Sequence, residues 1–362
     1  MREIRISIAA VTMMLLCFGV IMIYSSSGVY AMEKLGDSMY YLKRHVIFLA
    51  VGVAAAMVTM TLDYRDLRKW AKPFLALALV LLVIVLIPGI GKESFGARRW
   101  FKLGFIYFQP SELAKLAVLI YTADYCARKH NKLGSFIQGL LPLLMVLGAV
   151  SVLILKQPDL GSTVLIGAVA MIMIYIAGAR LWHLGLLGLL TIPGFYFLVY
   201  QVPYRWRRIM IFLDPWGDSQ GAGFQLTQSQ IAFGSGGLFG LGLGHSVQKL
   251  YYLPAAHTDF ILSIIGEELG LAGSLLVIIL FIAFIWQGAR IAKRTLDPFG
   301  HFLSIGIVAM IGLQAVVNVG VSIGALPTKG LPLPFISYGG SALVFNMIFV
   351  GLLLNISRIQ DL

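Results

Sequence analysis

The chain has 362 residues, of which 59% are hydrophobic and only 12% are charged. A soluble domain of this size needs a wetted surface, so the composition excludes that class and indicates an integral membrane protein. The formal net charge of +12 suits a protein that faces anionic lipid or a phosphorylated ligand. Its dispersal among many loops argues against nucleic acid as a partner.

Apolar runs close to the length of a bilayer crossing recur along the whole chain. Only helices and closed barrels satisfy the backbone in lipid, and strand alternation is absent, so the sequence predicts an all-α fold in one polytopic domain, 1–362. We predict about ten transmembrane helices: Ile6–Tyr24, His45–Leu62, Phe74–Ile90, Ser111–Cys126, Ile137–Leu155, Gly161–Ala177, Leu184–Tyr200, Asp259–Trp286, Phe302–Ile323 and Gly340–Asn355.

The placement of Lys and Arg predicts the orientation of these spans. Arg2 and Arg5 precede the first span, so we expect a cytoplasmic N-terminus, and an even number of spans returns the C-terminus to the cytoplasm. The outer loops nevertheless hold almost as many cations as the inner ones. Lys and Arg are usually enriched in cytoplasmic loops, so cations retained on the outer face indicate that this face binds an anionic ligand.

The outer segment between the third and fourth spans carries the first candidate site. Arg98 and Arg99 form a candidate anion clamp, because a guanidinium offers a planar fork to phosphate oxygens. Glu112 and Lys115 are spaced i, i+3 and can pair on one helix face, which is equally compatible with a structural tie between helices. Asp159 can cap the sixth span.

Two outer segments are unusual in length or composition. The large extracytoplasmic loop 201–258, between spans seven and eight, should contain a basic, aromatic helix on the membrane surface and a second short helix over 224–233. The proline-rich loop 324–339 reads as a re-entrant segment, which is tolerated at membrane depth only where it lines a cavity. Lys329 is its one charge, and Ser337 is a supporting polar group.

The stretch Gly234–Gly270 passes from a glycine-rich segment, where backbone can approach backbone or ligand closely, into a long apolar helix. No Lys-Ser/Thr pair follows the glycines, so they do not form a nucleotide loop. His257, Thr258 and Asp259 stand at the mouth of the helix, either as a functional site or as a simple helix cap. Glu267 and Glu268 lie about 100° apart around that helix, so we take both as structural.

Seven segments together resemble the SEDS family, the shape, elongation, division and sporulation proteins typified by FtsW, RodA and SpoVE. They are Gly96–Trp100, Gln109–Glu112 with Lys115, Gln157–Gly161, Pro203–Arg208, Asp214–Trp216, Gly234–Gly270 and Pro327–Ser341. The residue sequence of Gly242–Asp259 resembles the division or sporulation branch more than the elongation branch. One departure is Ala255, which follows Pro254 where family members often carry an acid.

The resemblance implies a peptidoglycan glycosyltransferase that polymerises lipid II at the outer face of the bacterial cytoplasmic membrane, beside a class B penicillin-binding transpeptidase and other cell-wall proteins. It makes Asp259 the candidate catalytic residue. The reaction inverts the sugar linkage, so it needs a carboxylate base and cations on the departing pyrophosphate. The substrate-binding candidates are Arg98, Arg99, Lys329, Arg205, Arg207, Arg208, His257 and Thr258. A divalent cation, Mg²⁺ or Mn²⁺, is compatible with this chemistry, although no ligand cluster requires one.

Two alternatives from other functional classes stay open. A lipid II flippase would also need many spans and anion-binding charges, but its polar residues should continue to the inner face. A scaffold that only recruits a transpeptidase should tolerate the change of Asp259 to Asn.

Overall fold

The computed structural model describes all residues except 95–96, 105, 222, 252, 254–255 and 360–362. The described residues are mostly helical, and each of the ten predicted spans falls on a helix. The α-helices are α1 (Arg2–Leu35), α2 (Tyr40–Thr61), α3 (Leu67–Ile84), α4 (Pro110–Lys129), α5 (Leu141–Lys156), α6 (Leu160–Ile176), α7 (Leu181–Phe195), α8 (Pro203–Leu213), α9 (Phe224–Gly236), α10 (Gln248–Tyr251), α11 (Ile261–Arg294), α12 (Pro298–Ser322) and α13 (Gly340–Ile359).

Six of the described helices are long and apolar enough to cross a membrane: α1, α2, α5 with its preceding π-turn, α11, α12 and α13. The helix α6 and the part of α7 up to Gly194 are apolar but shorter. The chain is therefore a multi-pass membrane protein, while ten crossings and the orientation of the termini stay predictions.

The all-α prediction is wrong between α3 and α4, where three strands form an antiparallel sheet. They are β1 (Gly91–Ser94), β2 (Ala97–Leu103) and β3 (Ile106–Phe108), in the order β1-β2-β3. Gly104 has φ of 64°, a conformation that suits glycine at the turn between β2 and β3. Aromatic and cationic residues fall on both faces of β2, so the sequence lacks the polar–apolar alternation that marks a strand.

The large loop 201–258 is partly folded. Both predicted helices are found in it as α8 and α9, and α10 was not predicted. The helix α8 ends at Leu213, with Asp214 as its C-cap, and α9 packs against α11. The described residues of 214–223 and 237–247, and those between α10 and α11, form turns and irregular segments.

The long helix α11 is broken at Gly270, whose φ of 67° and ψ of −162° are accessible to glycine alone. The glycine-rich segment after α9 fills the break: the Leu241 amide donates to the Glu267 carbonyl at 2.9 Å, and the Leu271 amide donates to the Gly237 carbonyl at 2.9 Å. A Cβ at Gly240 would lie 2.2 Å from the Glu268 carbonyl oxygen. The predicted close approach of backbone to backbone is confirmed.

The second half of the proline-rich loop before α13, residues 331–337, is mostly buried inside the protein, as expected of a re-entrant segment, whereas Ala325, Leu326 and Gly330 are exposed. Its Phe335 and Ile336 are almost fully buried, and the Phe335 ring packs on Phe284 of α11 with centroids 5.8 Å apart. Gly19 of α1 lets the loop approach, because a Cβ there would lie 2.5 Å from the Phe335 carbonyl oxygen. The loop thus reaches the inner part of the helix bundle from its outer end.

Candidate functional site

Asp259 lies in a turn directly before α11, and the surrounding elements fix the backbone of that turn. The Asn318 side-chain amide of α12 donates to the Asp259 carbonyl and to the Leu331 carbonyl, both at 2.9 Å. Ser337 donates its hydroxyl to the Thr258 carbonyl at 2.5 Å. The side chains of Asn318 and Ser337 therefore hold the proline-rich loop and the turn before α11 together.

The carboxylate of Asp259 is not a helix cap. The N-cap of α11 is Phe260, which makes no side-chain capping bond, and Asp259 accepts no hydrogen bond on its side chain from the described residues. Burial raises the pKa of Asp259 to about 6, against the opposing pull of the Arg208 and Arg99 charges. A carboxylate with such a pKa can take up a proton near neutral pH, as a general base must.

Two cations approach Asp259 from different elements. Arg99 of β2 donates through Nε to the Gln157 carbonyl at 2.8 Å and through Nη2 to the Pro158 carbonyl at 2.5 Å. Arg208 of α8 donates to the Thr328 carbonyl at 3.1 Å. These bonds to backbone oxygens leave both charges unneutralised, because each is fixed by a neutral acceptor.

The proline-rich loop supplies a third cation and the closest backbone. Lys329 is partly buried, which lowers the pKa of its ammonium group. The following residue, Gly330, lies against the catalytic candidate, because a Cβ on it would stand 3.2 Å from Asp259 Oδ2. The loop thus borders one side of the carboxylate, and Lys329 directly precedes the contacting residue in sequence.

Arg98 and Arg207 are placed apart from this group. The register of β2 against β1 shifts at Arg98 and Arg99, and the two side chains have different partners: Arg98 pairs with exposed Glu93 at 3.0 Å, whereas Arg99 binds backbone carbonyls. Arg207 pairs at the surface with Asp218 at 3.3 Å, and Arg205 is half-buried on α8. The structure therefore does not bring Arg98 and Arg99 together as a joint clamp.

His257 is enclosed by aromatic rings instead of by polar groups. Its ring lies 4.5 Å from that of Tyr41 and 5.9 Å from those of Tyr30 and Tyr338, between centroids. Burial lowers the pKa of His257 to about 4, so the imidazole is neutral at pH 7. The three tyrosines were missed in the sequence because they come from three separate segments.

A family model described as Cell cycle protein, and named for FtsW, RodA and SpoVE, matches residues 5–361. The chain belongs to this family. The resemblance inferred from seven short segments is thereby confirmed over nearly the full length.

Relatives of this FtsW/RodA/SpoVE chain are similar along its whole length. The probable peptidoglycan glycosyltransferase FtsW of Geobacter metallireducens is 48% identical over 343 residues, covering 95% of this chain and 92% of the relative. The stage V sporulation protein E of Bacillus subtilis is 44% identical over 349 residues, covering 96% and 95%. Both branches suggested by Gly242–Asp259 are thus represented.

Solved structures share the fold. A chain from a peptidoglycan synthase complex, solved to explain the structural coordination of polymerization and crosslinking, has a TM-score of 0.78 at 28% identity and covers 96% of this chain and 97% of that chain. The rod shape determining protein RodA of Thermus thermophilus has a TM-score of 0.71 at 25% identity, with 98% and 97% covered.

Four residues that the sequence marked as structural or supporting make local contacts in this FtsW/RodA/SpoVE chain. Lys115 pairs with Glu112 at 2.7 Å, and both side chains are buried. Asp159 caps α6, accepting from the Ser162 amide at 3.0 Å and from its hydroxyl at 2.8 Å. Ser337 accepts from the Leu333 amide at 2.9 Å besides donating to Thr258.

Glu267 and Glu268 are both buried and both engaged, as structural residues should be. Glu267 accepts from the Ser246 hydroxyl and from the Val247 amide at 3.0 Å. Glu268 pairs with Lys249 at 2.5 Å and accepts from the Ser25 hydroxyl at 2.6 Å. The buried role of Lys249 was missed, since a lysine in an outer loop is usually solvated.

The described part of the chain holds no group of three or more His, Cys, Asp or Glu side chains placed to bind a metal ion. Pro254 and Ala255, where this chain departs from the family pattern, and Gly96, the first residue of the Arg98 segment, lie outside the described residues.

Proposed function

We propose that this chain is a peptidoglycan glycosyltransferase that polymerises lipid II into glycan strands and releases undecaprenyl pyrophosphate. Relatives named for that activity match the chain from end to end, which supports the assignment. The observation that carries it is the half-buried Asp259 carboxylate, with a pKa near 6, beside Arg208 and Arg99, which form no ion pair with another carboxylate among the described residues. A base and an anion site in one place are what this transfer requires.

In the proposed reaction, Asp259 takes the proton of the acceptor sugar hydroxyl. The hydroxyl oxygen forms a bond to the anomeric carbon of the donor sugar, and the bond from that carbon to the pyrophosphate oxygen breaks. The pyrophosphate leaves with the electron pair, so one displacement inverts the configuration. Arg99, Arg208 and Lys329 offset the negative charge that develops on the leaving group.

His257 and Thr258 position the substrate and the turn, and neither acts as a second base. The neutral imidazole cannot bind pyrophosphate by charge, so its place among tyrosine rings suits contact with a sugar face. Arg205, Arg207 and Arg98 lie further out, where they attract the anionic head group to the site. This division of roles separates binding from the chemical step.

A divalent cation, Mg²⁺ or Mn²⁺, fits the site only together with substrate. Mg²⁺ is commonly held by one or two carboxylates and by substrate phosphates, and Asp259 with the pyrophosphate would supply both kinds of oxygen. When bound, the ion would withdraw charge from the leaving group. The base and the three cations keep their roles with or without it.

We further propose ten crossings with both termini in the cytoplasm of a bacterium, so that Asp259 faces the outside of the cytoplasmic membrane. The helices α3, α4, α6 and α7 would supply the four crossings that the six long apolar helices do not account for. A class B penicillin-binding transpeptidase is the proposed partner, in division or sporulation. A neighbour that belongs to a complex of polymerization and crosslinking supports that pairing.

The test is polymerisation of labelled lipid II by the purified protein, alone and with its candidate transpeptidase. We expect glycan strands from the native chain and none from Asp259→Asn. Glu33→Gln is the matched control, because it removes an exposed carboxylate near the end of α1 and should leave the yield unchanged. Equal product from the native chain and Asp259→Asn would remove Asp259 from the mechanism. No product in any pairing, with lipid II crossing vesicle bilayers, would favour a flippase, and recruitment of the transpeptidase alone would favour a scaffold.

A further inference from the structure

A cavity of about 460 Å³ opens at the end of α3 and α4 remote from Asp259. It is lined by Arg65, Arg68, Lys69, Lys72, Asp124 and Arg128. These residues lie near the start of α3 and the end of α4, whereas the sheet that carries Arg99 joins the other ends of both helices. The 18 residues of α3 separate the two ends by about 27 Å. The cavity is therefore separate from the proposed catalytic site.

A buried carboxylate organises the cationic wall of this cavity. The Asp124 side chain is only 5% exposed, and it accepts from Arg68 Nε at 2.9 Å and from Arg128 Nη2 at 2.6 Å. One negative charge thus holds two guanidinium groups side by side in spite of their repulsion. Each guanidinium has five N–H donors, so both keep donors for a further acceptor.

The remaining cations of the cavity are weakly neutralised. Lys69 pairs with Asp66 at 2.7 Å, but both side chains are largely exposed, and such pairs contribute little. Arg65 and Lys72 form no ion pair with a carboxylate of the described residues. The five cations of the cavity outnumber Asp124 in its wall and the nearby Asp66, Asp63 and Asp297 by one charge, and a bound anion would relieve that excess.

The surroundings favour an anion that carries acyl chains. Leu62 and Trp70 are exposed beside the cavity, and Trp70 lies in sequence between Lys69 and Lys72. Exposed apolar side chains continue along the same helices at Val58 and Leu77. Tryptophan prefers the level of the lipid head groups, and basic pockets between membrane helices bind anionic head groups. We propose that this cavity binds the phosphate-bearing head group of an anionic phospholipid, whose chains follow α2 and α3.

The proposal is tested with delipidated full-length protein in detergent, by native mass spectrometry during titration with phosphatidylglycerol, phosphatidylcholine or inorganic phosphate. The variant Lys69→Gln with Lys72→Gln removes two exposed cations of the cavity and leaves the Asp124 cluster intact. We expect it to bind phosphatidylglycerol about thirtyfold more weakly, from about 1 kcal/mol for each lysine near a lipid surface. Lys129→Gln with Lys132→Gln is the matched control outside the cavity and should bind as the native protein does.

Three outcomes would overturn the proposal. Equal affinity for phosphatidylglycerol and phosphatidylcholine would mean that the charge of the head group is not recognised. Equal loss in the two double variants would mean that net charge alone attracts the lipid. Competition by inorganic phosphate as strong as that by phosphatidylglycerol would assign the cavity to a free anion. Since none of these readouts depends on glycan synthesis, failure of the proposed function would leave the test intact.

Discussion

Loss of the Lys249 charge should destabilise the outer end of the helix bundle by leaving Glu268 buried without its ion-pair partner. The two side chains are 5% and 0% exposed, and they meet at 2.5 Å. Removing one partner of a buried pair costs about 3–5 kcal/mol, because the remaining charge is neither hydrated nor paired. The Ser25 hydroxyl still donates to Glu268, so we expect the low end, about 3 kcal/mol, for Lys249→Met.

The measurement is the free energy of unfolding in mixed detergent for Lys249→Met, Glu268→Gln and the double variant. Each single variant leaves an unpaired polar group in the interior, whereas the double variant leaves no isolated charge. The double variant should therefore cost less than the sum of the two single variants, with a coupling energy of about 2 kcal/mol. The exposed pair Lys43–Asp37 supplies the control, and Lys43→Met should cost less than about 1 kcal/mol.

A coupling energy within about 0.5 kcal/mol of zero would refute the reasoning, since independent sites add within that margin. The same holds if Lys249→Met is no less stable than Lys43→Met. Either result would mean that water or another group neutralises Glu268 when Lys249 is absent.

Three further predictions concern the proposed active site and the break in α11. The proposed base Asp259 has a pKa of about 6, so polymerisation should fall about tenfold per pH unit below pH 6 and level off above it. A flat profile from pH 5 to 8 would contradict this assignment. Gly330→Ala should lower kcat about tenfold or more, because the added methyl group displaces Asp259. The control is Gly339→Ala, whose added methyl group lies 3.5 Å from its nearest neighbour and should leave kcat unchanged. Equal kcat values for the two variants would show that the contact at Gly330 is unimportant. Gly270→Ala should lower the free energy of unfolding by about 1–3 kcal/mol, because alanine is strained at a φ of 67°. The control Gly167→Ala, which has open space around the added methyl group, should not lower it. Equal stability of the two variants would refute the strain argument.

Most of the helical architecture was readable from the sequence because apolar runs of bilayer length have few alternative structures. The ten runs all lie on helices, and the surface helix α8 follows from its basic and aromatic residues. The cap of α6 by Asp159 and the pair of Glu112 with Lys115 were predictable too, since both depend on neighbours three residues apart. Local spacing decides such contacts before the chain folds.

The sheet and the arrangement of the cations required the tertiary structure. Strand pairing of β2 with β1 and β3 is a non-local choice, and adjacency in sequence conceals that Arg98 and Arg99 have different partners. Arg99 and Arg208 come from positions far apart in the chain, so their approach to Asp259 depends on how β2 and α8 pack.

The sequence by itself determined that the chain is a helical membrane protein, that it resembles one family, and that Asp259 stands at the mouth of a long helix. Only the tertiary structure decided which polar groups are partnered: Lys249 with Glu268, and Asp124 with two arginines. The physical reason is that burial and long-range pairing set the electrostatic environment of a charge. Composition and periodicity report only which residues can be buried.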